Sequence, residues 1–461
     1  MKAIAMACGD TAIRWLKLAN AMIRQKERNV LFAIFMLAIA IRVFIVLSLP
    51  TYTRTLDYEN GHIARNILNG NGYSAGVGWV TPYGEPTAHK PPLYPLFLVG
   101  SFYFFPDEWN PIAPAGQYPK AHLLGQVIQS LISGFIVLVL YQLGKLAFNP
   151  LSGMLAAFLF SVNPSCLHQH RQIERMTFDM LLFTLLTLLF LRLAQKPSPR
   201  SAILGGLVAG LALLNNPSIA LFIVFAQVWL LLKAHRSMHV VDRLKVQVIV
   251  LISTVLVLMP WIYRNHLVFH RFIPFSSNFG FELWVGNHPD ASGGLYDSDL
   301  QFIVKVPQSL VSMTKDMDEP ERYDYLGKVA LGYMLADPKR TVELRFWSWI
   351  QFWFGEIHLK MFTKVGRSLV LIANLITILL AWFGMLVCLR TRWGPNLLFS
   401  LLFLGLAFPY TITHGGDRYR DGLSPILNLY IANLFIYLCY RLVAGVNTTT
   451  HVSQTEQWLS L

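Results

Sequence analysis

The sequence predicts an all-α polytopic membrane protein, and three observations carry that prediction. Of its 461 residues 54% are hydrophobic and only 14% charged, at a mean hydropathy of +0.46, whereas soluble chains carry about 25% charged residues. Apolar runs recur near 30–49, 122–148, 151–167, 174–194, 201–216, 217–234, 244–263, 367–389, 395–413 and 423–443, which makes about ten spans by the hydropathy criterion. The formal charge of +13 lies in short basic clusters beside those runs, the pattern that orients helices in a bilayer. No nucleic-acid motif accompanies it, so nucleic acid is not among the expected partners.

In chain order, residues 1–29 read as a basic amphipathic tail on the cytoplasmic side, with Ile13, Trp15, Leu16, Ala19 and Met22 giving one apolar side. The run from Val30 to Leu49 is close to the ~20 residues of a spanning helix and is expected to stay attached as a signal anchor. Arg42 inside it must face the protein interior or a wet cavity. The pair of runs meeting at Asn215, Asn216 and Pro217 also fits a re-entrant hairpin. With the amino terminus inside, the short inner linkers hold Arg192, Lys196 and Arg200, then Lys233, Arg236, Arg243 and Lys245, then Arg390 and Arg392. Each obeys the positive-inside rule. The outer face then carries two large loops, about 50–121 and 264–366, and the second bears aromatic stretches such as RFWSWIQFWFGE at 345–356 that suit a helix in the headgroup layer. Residues 30–443 form one membrane domain and 444–461 a cytoplasmic tail. Cys8, Cys166, Cys388 and Cys439 are scattered, with no metal-type spacing.

The polar residues with chemical potential all fall on the outer side. Asp57 and Glu59 come within about ten residues of the first span, at the membrane boundary. A carboxylate there is suited to act as a general base, and an acidic N-cap for a helix through Ile63, Ala64, Ile67 and Leu68 fits the same residues. Arg264 in PWIYRN and Arg418 and Arg420 in GGDRYRDG sit at span ends, where guanidinium groups hold phosphates in a bidentate way or snorkel. His168, His170, Arg171 and Glu174 form a second polar cluster, but residues two apart on a helix do not face one way, which argues against a metal pair.

The segments YENGHIARNILNGNGYS, GEPTAHKPPLYP, LLNNPS, MPWIYRNHLVFHRFIPFSSNFGFELWVGNHP and DRYRDGLSPIL, in that order, closely resemble the bacterial relatives of dolichyl-phosphate-mannose protein mannosyltransferases. These belong to the GT-C superfamily of polyprenyl-phosphate-sugar-dependent glycosyltransferases, which includes family 39 and the aminoarabinose transferases of lipid A. The resemblance covers roughly residues 30–443 and implies a GT-C-type helical bundle in the inner membrane with its active site on the extracytoplasmic face. It implies an inverting transfer of one sugar from a polyprenyl-phosphate donor to an outer acceptor, a lipid, glycan or protein. Asp57 and Glu59 match the acceptor-activating acidic position. Arg264 and Arg418 or Arg420 match the lipid-phosphate ligands, Lys90 falls near the donor, and Glu174 and Asp179 compete for a second acidic position. No cofactor is required; a carboxylate with the donor phosphate suffices to hold Mg²⁺ or Mn²⁺, which leaves a divalent metal open. The competing class is a non-enzymatic transporter or flippase, which needs ionisable residues along a path at mid-membrane depth. Arg42 and Asp179 are the few candidates for one.

Overall fold

The computed structural model describes residues 26–49, 51–53, 57–77, 81–110, 118–233, 240–295, 306–355, 365–389 and 392–444. The expected tails, 1–29 and 444–461, lie almost wholly outside them. Among the described residues seven helices are long and apolar enough to cross a membrane: Lys26–Ser48 (α1), Pro119–Ala147 (α4), Met176–Gln195 (α7), Val240–Phe269 (α10), Ile372–Leu389 within Val365–Leu389 (α15), Trp393–Ile412 (α16) and the span ending in Ser424–Ala444 (α17). The chain is a multi-pass membrane protein. Three of the ten expected spans are shorter: Pro150–Val162 (α5), Pro199–Leu213 (α8) and Ala220–Lys233 (α9). At ~1.5 Å per residue a helix of 13 residues falls short of the ~30 Å hydrocarbon core.

These short helices are set by their punctuation. Asn149 caps α5, accepting the Ser152 N–H at 2.8 Å, ahead of Pro150. Asn163 then stops it and caps Pro164–Gln169 (α6) through Ser165 N–H at 2.9 Å, since proline continues poorly but starts well. The end of α5 leaves carbonyls inside the bundle, and Arg42 of α1, with no exposed surface, supplies donors to Phe160 O and Ser161 O, both at 3.2 Å. Its guanidinium also stands 5.0 Å from the Phe160 ring. The buried arginine is thus a helix cap built from another helix. Close approach of α4 to α5 needs glycine: a Cβ on Gly144 would lie 2.5 Å from the Gly153 Cα.

Two loop regions gather at one end of the bundle. The first contains Tyr58–Leu68 (α2), a hairpin of Ser74–Val77 (β1) and Thr81–Pro86 (β2), and Leu93–Tyr103 (α3). The hairpin pairs Ser74 with Pro86 and Val77 with Thr81, with a bulge after Ala75. It is the one sheet among the described residues and was not evident from the Gly/Pro-rich sequence. The second region carries Phe279–Val285 (α11), Gln308–Met313 (α12), Glu319–Ala336 (α13) and Pro338–Phe354 (α14). It has its own apolar core of Leu283, Trp284, Val285, Leu326 and Ala330, which explains why so long a connection is ordered.

Replacing Arg42 by Met should remove the cap on α5 and leave buried carbonyls unpaired, at a cost of ~1–3 kcal/mol. The expected outcome is a lowered thermal midpoint in detergent, with the protein still monodisperse.

Candidate functional site

Between the two loop regions and the bundle lies a cavity of ≈ 560 Å³. Its walls come from the start of α2 (Tyr58, Glu59), the segment His89–Pro91, Glu174 to Met176, the turn Asn215–Ser218 between α8 and α9, residues 275–285 around α11, the end of α16 and the Arg418–Tyr419 turn. The break at Asn216–Pro217 therefore has a function in the fold: it brings a helix-terminal turn to the cavity wall.

Three carboxylates and three strong cations share this space, Glu59, Glu174 and Glu282 with Lys90, Arg175 and Arg418. Lys90 Nζ is 3.6 Å from Glu59 Oε2 and His89 Nε2 is 3.9 Å from Glu59 Oε1. On the opposite wall His414 Nε2 is 2.8 Å from Glu282 Oε2, while Asn278 Nδ2 donates to Glu282 Oε1 at 2.8 Å. His89 Nδ1 is 2.7 Å from the Tyr323 hydroxyl. Tyr58, between the two acidic residues of the first loop, has φ of 43°, a strained conformation for a non-glycine residue of the kind that gathers at functional sites.

These surroundings pull the carboxylates apart. For Glu59 burial works upward, but Lys90, His89 and Arg418 outweigh it and the carboxyl lies below its ordinary value. Glu282 is likewise opposed by burial yet driven down to about 2 by His414, Lys90 and His89. Glu174 moves the other way, raised by burial and by the neighbouring Glu59 against the pull of Arg418 and Lys90. One site thus holds a committed carboxylate beside a carboxyl that keeps its proton longer.

The comparisons with known proteins agree with this architecture. A model of the dolichyl-phosphate-mannose-protein mannosyltransferase family matches residues 120–263, less than half of the chain. The apo oligosaccharyltransferase of Archaeoglobus fulgidus superposes with a TM-score of 0.52 at 13% identity, over 93% of this chain and 54% of that one. The fold is of the GT-C type. The archaeal oligosaccharyltransferase AglB from Archaeoglobus fulgidus, in complex with an inhibitory peptide and a dolichol-phosphate, gives 0.49 at 14% identity over 92% and 54%. ArnT from Cupriavidus metallidurans bound to undecaprenyl phosphate gives 0.36 at 12% identity over 86% and 77%. The chain spans about half the length of the archaeal relative. No curated protein matches it in sequence.

Within this GT-C fold the residues singled out from sequence separate into two groups. Glu59, Lys90, Glu174 and Arg418 line the cavity. Asp57 is buried beneath it, its carboxylate paired with Arg65 and 3.0 Å from His122 Nε2. Arg65 in turn lies 3.9 Å from the centre of the Tyr118 ring. The helix expected through Ile63 to Leu68 forms, but Asp57 makes no side-chain cap on it. Instead the carboxylate folds over Gly61, where a Cβ would sit 1.9 Å from Asp57 Cγ.

Arg264 is also outside the lining; its guanidinium donates to Thr87 O at 2.7 Å and Tyr73 O at 2.8 Å, latching the hairpin to α10. Arg420 is buried, donating to the Trp353 carbonyl and 3.5 Å from Asp421. His168 and Arg171 stand apart from the cavity, His168 3.5 Å from Gln172 and Arg171 with its carbonyl accepting from Gln126. Among the described residues no three His, Cys, Asp or Glu side chains converge as a metal site. His89, Arg175, Glu282 and His414 were not assigned roles from sequence. His89 adjoins Lys90 in HKPPLYP and Glu282 sits in FELW, but nothing local marks them as facing each other.

Because the folded protein holds the Glu174 proton above the ordinary value of 4.5, that group favours folding at low pH and the benefit is lost as pH rises through the folded value. Glu174→Gln should abolish this alkaline decline. The check is the thermal midpoint of wild type and variant in detergent across a pH series starting near 4.5.

Proposed function

We propose that this protein is a membrane glycosyltransferase that moves one sugar from a polyprenyl-phosphate donor to an acceptor on the extracytoplasmic face. The observation that carries the reading is a single cavity with a low-lying carboxylate, Glu59, within 3.6 Å of Lys90 and with Arg418 and Arg175 in its walls. The GT-C fold and the partial family match support it.

In the proposed reaction Glu59 accepts a proton from the acceptor hydroxyl or amine. The freed lone pair attacks the anomeric carbon, and the bond from that carbon to the phosphate oxygen breaks with its electrons left on the polyprenyl phosphate. Configuration inverts. Lys90, Arg418 and Arg175 stabilise the charge that grows on the leaving phosphate. Asp57, tied to Arg65 and His122, orients the start of α2 and hence Glu59. The basic linkers Arg192–Arg200 and Lys233–Lys245 support an inside amino terminus, placing both loop regions and the cavity outside. Residues 30–443 then constitute the transferase domain between cytoplasmic tails 1–29 and 444–461.

The test is purified protein in nanodiscs with a panel of radiolabelled polyprenyl-phosphate sugars and native membrane extract. General-base catalysis contributes typically 10²–10⁴-fold, so Glu59→Gln is expected to slow transfer by about 10²-fold while undecaprenyl phosphate still binds. A loss smaller than tenfold, ~1.4 kcal/mol of barrier, removes Glu59 from this role. Movement of intact donor across the bilayer with no transfer product would make the protein a flippase instead.

A further inference from the structure

Below the cavity wall, one buried carboxylate is hydrogen-bonded to three residues from two parts of that wall. Asp179, in the first turn of α7 and 3% exposed, is absent from the cavity lining. Its Oδ1 accepts from Asn215 Nδ2 at 2.7 Å, and its Oδ2 accepts from Asn216 Nδ2 at 3.0 Å and from the Arg175 guanidinium at 2.8 Å. Arg175 passes its second amino group to the Tyr410 hydroxyl at 3.2 Å, and that hydroxyl donates to Asn216 Oδ1 at 3.4 Å. Tyr410 stacks on Tyr419 with ring centres 4.2 Å apart and planes within 10°. The Tyr419 hydroxyl accepts from Arg418 at 2.9 Å.

The geometry points to Asp179 as a positioning residue that sets the anion-binding wall of the cavity, aiming Arg175 directly and Arg418 through the Tyr410–Tyr419 stack. The argument is one of satisfaction. A carboxylate shut away from water keeps its charge only with donors on its lone pairs, and here those donors come from α7 itself and from the α8–α9 turn. Each donor is thereby held in one orientation, and Arg175, held by Asp179 and Tyr410, lines the cavity. Arginine is otherwise rich in rotamers, so an arginine fixed before the phosphate arrives loses less freedom on binding it. Asn215 and Asn216 explain the LLNNPS segment: two adjacent amides reach the two oxygens of one carboxylate, and the following proline ends the approach. Asp179 touches neither substrate nor acceptor in this assignment and moves no proton.

The inference rests on the phosphate-binding role proposed for the cavity, and the experiment separates the two. Binding of undecaprenyl phosphate to the full-length protein in nanodiscs is measured by tryptophan fluorescence for wild type, Asp179→Asn and Tyr410→Phe, alongside thermal midpoints. Donor KM and kcat are measured with the sugar donor that wild type accepts. Asp179→Asn should weaken lipid-phosphate binding and raise donor KM by at least tenfold, with kcat falling as well because the same two arginines stabilise the leaving phosphate. Tyr410→Phe, which keeps the ring stack and removes only the hydroxyl, should weaken binding about threefold or more. Wild-type protein that fails to bind undecaprenyl phosphate overturns the cavity's proposed function. Wild-type protein that binds it, with Tyr410→Phe and any folded Asp179→Asn binding equally well, overturns the positioning role alone. If Asp179→Asn does not fold, Tyr410→Phe decides.

Discussion

A single buried carboxylate, Glu319 at the start of α13, joins the two loop regions that roof the cavity. It is 1% exposed. One oxygen accepts the Ala88 N–H at 2.8 Å and the Ser277 hydroxyl at 2.7 Å, and the other accepts the Thr87 hydroxyl. Two further contacts from α13 reinforce it: Arg322 pairs with Glu85 and Tyr323 meets His89. A buried charge is stable only where donors surround it, so the residues 85–89 can close over the bundle in one arrangement. That arrangement delivers His89 and Lys90 to the side of Glu59.

From this clamp the electrostatics of the cavity follow. Lys90 and His89 depress Glu59, His414 depresses Glu282, and burial without so close a counter-charge raises Glu174. The cations that would receive a phosphate are themselves braced, Arg418 by Tyr419 and Arg175 by Asp179. Neither wall is rigid by virtue of secondary structure alone, because most of its residues sit at helix ends and turns. Hydrogen bonds between distant segments supply the stiffness, which is the preorganisation that electrostatic stabilisation requires.

The membrane class and most spans were legible because hydropathy and basic linkers act locally along the chain. Length was less legible. The runs near 151–167, 201–216 and 217–234 are apolar enough for spans, yet α5 stops early at Asn163-Pro164, α8 stops early at Asn215-Asn216-Pro217 and α9 begins only after that signal; Arg42 receives the end of α5 and the cavity receives the turn between α8 and α9. The hairpin at 74–86 was hidden by glycine and proline, which read equally well as loop. Long-loop order came from the apolar core of α11 and α13, invisible until two segments separated by some forty residues are packed.

The site divides in the same way. Sequence alone determined that carboxylates, arginines and a lysine would gather at the loop-bearing end of a helical bundle, since charge is excluded from the apolar runs and must collect at their ends. Which of them face the cavity was decided by tertiary structure. Asp57 stands just before α2 and Glu59 in its first turn; Arg65 and His122 take the first and leave the second to Lys90. Arg264 and Arg418 look alike as span-end arginines, but Tyr73 and Thr87 carbonyls occupy one while the other lines the cavity. Partners that far apart in the chain leave no local mark, because a side chain's direction is set by whichever distant group can satisfy its hydrogen bonds when the bundle closes.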